Sequence, residues 1–137
     1  MSESILVVED NQDLSLLFQL VLESAGYQVA TLDDGKDALT QVEKLQPQLV
    51  VMDIMMPEVS GLQVSRKIKD RPEYQSLPIL LVSAIDRLQD DRLHDSRADA
   101  IIYKPFDLDH LIAKVSELTR HRLDRDNSIS SFQKSVA

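Results

Sequence analysis

The chain has 137 residues, one domain's worth, enough to bury roughly two-thirds of the surface it exposes when unfolded. With 43% apolar and 28% charged residues, a packed core is expected and general disorder is excluded. The net charge of −8 disfavours direct contact with nucleic acid and suits cations or basic protein surfaces, and the absence of cysteine rules out disulfides and thiolate metal sites.

In chain order, Ser4–Val8 is a short β-branched strand bounded by Glu9-Asp10-Asn11. Leu14, Leu17, Phe18, Val21, Leu22 and Ala25 then recur at the spacing of an amphipathic helix, which Gly26 is placed to close. Tyr27–Leu32 reads as a second strand. Asp33-Asp34-Gly35 opens a helix carrying Ala38, Leu39, Val42 and Leu45, stopped ahead of Pro47. The third strand is Leu49–Met52, with Asp53 at its end. A loop through Pro57 and Gly61 leads to a helix over about Leu62–Lys69, and Pro72 and Pro78 bracket a turn. Ile79–Val82 is the fourth strand and ends at Ser83. A charged helix over roughly Ile85–Ser96 follows, then a fifth strand, Ala100–Ile102, the segment Tyr103-Lys104-Pro105-Phe106, and a last helix carrying Leu108, Leu111, Ile112, Val115 and Leu118.

Short, continuously apolar strands alternating with helices predict an α/β fold with a parallel sheet covered on both faces. Right-handed crossovers place the C-terminal ends of all strands along one edge, where ligands of such folds bind. Just past those ends stand Glu9 and Asp10, Asp53, Ser83 and Lys104. Three converging carboxylates repel one another, and a hard divalent cation with oxygen ligands, Mg²⁺ above all, relieves that repulsion. A carboxylate can also attack phosphorus to give an acyl phosphate, a reaction that needs positioning and charge neutralisation more than covalent help. The only glycines, Gly26, Gly35 and Gly61, stand singly, so GxGxxG and Walker phosphate loops are absent.

The segments VVEDN (7–11), MDIMMPEVSG (52–61), LVSA (81–84) and YKPF (103–106), in this order and spacing, resemble the receiver domain of two-component response regulators over about residues 4–120. The resemblance implies a doubly wound, flavodoxin-like fold of five parallel strands and five helices; the strand order 2-1-3-4-5 is the family's and is not read from this sequence. It implies that Asp53 is the phosphoacceptor and that Glu9, Asp10, Asp53 and the backbone carbonyl of Met55 hold Mg²⁺. Ser83 and Lys104 would each take a phosphoryl oxygen, and Lys104–Pro105 would be cis. The implied partners are a sensor histidine kinase or phosphotransfer protein, and a downstream target on the face formed by helix 4, strand 5 and helix 5. The chain would be a monomer or a weak, phosphorylation-dependent dimer, and a switch rather than an enzyme with a separate substrate. The expected location is cytoplasmic, because no apolar run approaches the ~20 residues of a membrane span and the N-terminus lacks a signal peptide's pattern.

Each residue has a plainer reading when taken alone. Glu9-Asp10 could be a helix N-cap, Ser83 a strand-end hydroxyl and Lys104 a surface lysine. Met55 and Met56 read as packing residues, and His94, His110 and His121 as surface residues. A phosphorylation-independent adaptor that keeps only the fold is the alternative function, and the complete set of five side chains speaks against it. Met55, where a phosphohydrolase of the aspartyl-phosphate kind carries a second aspartate, speaks against that class. Residues 1–120 are expected to form the domain and 121–137 a helix extension or tail. Ile101 stands where receivers commonly have Tyr or Phe, so the readout is expected to run through Ala84–Leu88 and Tyr103.

Overall fold

The five apolar runs become five parallel strands in a computed structural model whose described residues are 4–84 and 90–120. The strands are β1 (Ser4–Val8), β2 (Gln28–Leu32), β3 (Leu49–Asp53), β4 (Ile79–Ser83) and β5 (Ala100–Tyr103), in the order β2-β1-β3-β4-β5. The register places Val8 beside Met52, Asp53 beside Val82, and Ser83 beside Tyr103. The strand C-termini therefore align along one edge.

Side chains alternate between the two faces of the sheet. Leu6, Val8, Val50, Met52, Ile79 and Leu81 point to one face, where α2 (Ala38–Leu45) and α3 (Gly61–Lys69) bring Val42, Leu62, Val64 and Ile68, and α4 (Asp90–Ser96) brings Leu93. Ile5, Val7, Leu49, Val51, Leu80, Val82 and Ile102 point to the other. There α1 (Gln12–Ser24) supplies Phe18 and Leu22, and α5 (108–120) supplies Leu111 and Val115. The rings of Phe18 and Phe106 stack at 5.7 Å, joining α1 to the loop after β5. Both faces of β3 and β4 are covered, which explains why these strands read as unbroken apolar runs.

Several expectations shift. The helix expected to open at Asp33–Gly35 begins at Ala38. A 3-10 turn over Gly35–Asp37 precedes it, started by the Asp34 side chain accepting from the Lys36 amide at 2.8 Å. Tyr27 lies outside β2, its amide bonded to Leu22 O instead, and Asp53 belongs to β3. Leu17, expected on the buried stripe of α1, is exposed; the helix buries Phe18 and Leu22 and packs Leu14 against the same core. The Ile85–Gln89 part of the expected fourth helix lies outside the described residues, as does 121–137 with His121.

Candidate functional site

The loop after β1 is organised by Asn11. Its Oδ1 accepts from the Leu14 amide at 3.0 Å and caps α1, a role that sequence reading assigned to Glu9-Asp10 as their plainer alternative. Those two carboxylates are thereby left to the sheet edge. Glu9 turns inward and is 1% exposed; its Oε2 accepts from the Asn11 amide at 3.3 Å, whereas Oε1 has no hydrogen-bond partner. Asp10 faces solvent.

Asp53 closes β3 with only 6% of its surface exposed. Its Oδ1 accepts from the Met55 amide at 3.1 Å, and its Oδ2 accepts from Lys104 Nζ at 3.2 Å. The strand end is held down by its neighbours: the Ile54 amide donates to Val82 O at 2.9 Å, and the Gly61 amide donates to Ile54 O at 2.8 Å. Gly61 is required here, since a Cβ at that position would overlap the Asp53 carbonyl oxygen. The α3 helix that starts there is fastened by a capping box, Ser60 Oγ accepting from the Leu62 amide and Gln63 Oε1 from the Ser60 amide. Sequence reading gave Gly61 a loop-shaping role and missed this close approach, which a lone glycine eight residues past a strand-end carboxylate could signal.

Lys104 is brought in from β5. Its amide donates to Ser83 O at 2.7 Å, its peptide bond to Pro105 is cis, as the resemblance implied, and its ammonium lies 3.7 Å from Glu9 Oε1. Ser83 ends β4 with its side chain fully buried. Met55 does not pack as expected: it is 58% exposed at the rim, and Met56 is the one that packs against the core. His94 and His110 are exposed, as read.

One oxygen from each of Glu9, Asp10 and Asp53 lies within 4.8 Å of the other two. Lys104 offers one positive charge to this group. The imbalance shows in Glu9, whose pKa is pushed up to about 7, first by burial and then by the charge of Asp53. A proton on Glu9 would be shared with Asp10 or Asp53. Hard oxygen donors, a deficit of positive charge and one buried oxygen without a donor fit a small divalent cation.

The sequence matches the model of the response regulator receiver domain over residues 5–116. The chain is 35% identical over 122 residues to the DNA-binding dual master transcriptional regulator RpaA of Synechocystis, covering 88% of this chain and 50% of that protein. It is also 35% identical to the response regulator ArlR of Staphylococcus aureus, covering 89% of this chain and 55% of ArlR. The chain thus spans about half the length of the curated relatives it matches. Among solved structures, the response regulator TrrA of Thermotoga maritima, in complex with Mg²⁺ and beryllofluoride, superposes with a TM-score of 0.77 at 33% identity, covering 85% of this chain and 98% of TrrA. Strand order, site geometry and sequence agree, and the chain belongs to the receiver domain family of two-component response regulators.

Proposed function

We propose that Asp53 accepts a phosphoryl group from the phosphohistidine of a sensor kinase or phosphotransfer protein, and that the chain switches its output surface in response. The observation that carries this reading is the placement of Asp53: a nearly buried carboxylate at an open strand end, between the Lys104 ammonium and the Glu9/Asp10 pair. An Asp53 oxygen forms the new bond to phosphorus while the phosphorus–nitrogen bond breaks, and the departing imidazole takes up a proton. The Met55 amide orients the Asp53 carboxylate for that attack. Lys104, already within 3.2 Å of Asp53, pairs with one phosphoryl oxygen, and the Ser83 hydroxyl binds another. Glu9, Asp10, Asp53 and the Met55 carbonyl would hold Mg²⁺, which supplies neutralisation of the charge on the transferring group. The Mg²⁺ and beryllofluoride complex of TrrA supports this assignment.

The output surface is the face of α4, β5 and α5, read by a downstream protein, with Tyr103 exposed on it. DNA binding belongs to the name of RpaA, of which this chain matches only half. This segment, at net charge −8, is proposed to act through protein contacts alone, as a cytoplasmic monomer or weak dimer. No helix among the described residues is long and apolar enough to cross a membrane. The test is intact mass after incubation with acetyl phosphate and Mg²⁺. Wild type is expected to gain the mass of one phosphoryl group and Asp53→Asn none; equal labelling of both overturns the assignment.

A further inference from the structure

The loop that joins β3 to α3, residues 54–60, is fastened to the sheet at both ends. At its start the Ile54 amide is bonded to Val82 O and the Met55 amide to Asp53 Oδ1. At its finish the Gly61 amide returns to Ile54 O and Ser60 caps α3. Between these points the backbone turns sharply. The Val59 amide donates to Pro57 O at 2.8 Å, and Glu58 stands at φ 69°, a left-handed conformation that a residue with a Cβ adopts at a cost. Against this crest lies the 3-10 turn that leads into α2. A Cβ on Gly35 would come within 2.8 Å of Val59 Cγ1 and 2.9 Å of Met56 Cε, so the turn reaches the loop because residue 35 is glycine. Met56 and Val59 pack against the core cluster that also takes in Ala38, the first residue of α2. Asp34 Oδ1, accepting from the Lys36 amide at 2.8 Å, fixes the residue after that glycine. The Lys36 ammonium then forms an ion pair with the Glu58 carboxylate at the crest.

We propose that Lys36 is a positioning residue for the metal site: paired with Glu58, it braces the loop crest and so keeps Met55, on the same loop, in place. The inference rests on the reading in which the Met55 carbonyl is one of the Mg²⁺ ligands. The two side chains are 55% and 62% exposed, so their pairing is worth up to about a fivefold population ratio and adds little to the stability of the fold. Its leverage is on the loop. A crest built on a left-handed residue and a tight turn can leave its position without unfolding the sheet. Metal affinity then falls in proportion to the fraction of molecules whose loop is in place, so a loop in place in one molecule out of about three binds about threefold more weakly. The positive charge of Lys36, taken by itself, opposes the binding of a cation. Bracing and charge thus act on the metal in opposite directions, which allows them to be separated.

The experiment measures Mg²⁺ affinity by isothermal titration on the 137-residue protein, on Lys36→Glu, on Glu58→Lys and on the double exchange, with Asp10→Ala as control. Each single reversal sets like charges against each other, and the double exchange restores an ion pair with its poles swapped. Long-range charge acts in opposite senses on the two single variants, so it cancels in the product of their effects. Bracing does not cancel. The product of the two single-variant losses is expected to be about fivefold, with the double exchange within about 1.5-fold of wild type. Tighter binding by Lys36→Glu that mirrors a weakening by Glu58→Lys, with a product below about threefold, would mean that charge alone acts and would overturn the proposal. A larger product that the double exchange fails to restore would overturn it too, since the two side chains would then act through other partners. Either result, with Asp10→Ala still impaired, removes the brace and leaves the metal site standing. Mg²⁺ binding by Asp10→Ala equal to that of wild type would bring down the metal site and the brace with it.

Discussion

A Glu9→Gln protein keeps the shape of the side chain and removes a charge that the fold holds at a cost. Glu9 is 1% exposed, one of its oxygens has no hydrogen-bond partner, and its pKa rises from 4.5 to about 7 through burial and the neighbouring charge of Asp53. Between those two values the folded protein carries a proton that the unfolded chain has already lost, so stability from this group is full below about pH 4.5 and falls as pH rises through 7. At about 1.4 kcal/mol for each pH unit, the loss comes to about 3 kcal/mol. Glutamine is spared that loss but gives up the attraction of Lys104 at 3.7 Å, leaving an expected gain of about 2 kcal/mol. Urea unfolding of both proteins in EDTA measures it. The two should nearly coincide near pH 5, and Glu9→Gln should be the more stable by about 2 kcal/mol near pH 8. Added Mg²⁺ should then stabilise wild type more than the variant, closing the gap. Equal stabilities at both pH values, or a more stable wild type near pH 8 without metal, would refute the reasoning.

Asp10→Ala is expected to weaken Mg²⁺ binding by about tenfold or more, and wild-type binding should weaken as pH falls from about 8 to 6 and Glu9 takes up its proton; isothermal titration measures both. Gly61→Ala forces a methyl group against the Asp53 carbonyl and should cost about 2 kcal/mol or more in thermal unfolding, with slower phosphorylation. Ile68→Ala empties a fully buried site under α3 and should cost about 2–5 kcal/mol while leaving the Asp53 site intact. Met55, exposed at the rim of the site, cannot orient a water by hydrogen bonding, so Met55→Asn should shorten the lifetime of the phosphorylated form, followed by loss of label over time.

The strands were legible because four of the five are runs of β-branched and aliphatic residues ended by a polar side chain, and Asp53 stood out because its run ends on a carboxylate. The 3-10 turn before α2 was not legible. Asp34 caps it by a local hydrogen bond that has the same sequence signature as the start of an α-helix. Leu17 was misplaced because α1, lying on one face of the sheet, buries a narrower stripe than its apolar residues suggest. At the site, the carboxylates and Lys104 were readable from their positions after strands, but the inward turn of Glu9 was not, since it depends on Asn11 taking the cap. The hydrogen bonds from α3 to the end of α4 and the turn after it, Ser65 to Ser96 and Lys69 to Asp99, join residues about thirty positions apart, and nothing local in either segment marks them.

The course of α5 also bears on how receiver and attached modules share space. From Leu108, just past the Lys104 edge, the helix runs back about 20 Å to the opposite edge, where Thr119 meets Tyr27 near the start of β2. A module joined after α5 would hang from the edge opposite Asp53, and β1 starts at that same edge. Under the proposed function, a kinase approaching Asp53 and a module carried on the end of α5 would meet opposite edges of the sheet. News of the loaded site would reach such a module through the body of the sheet and its covering helices rather than by direct touch.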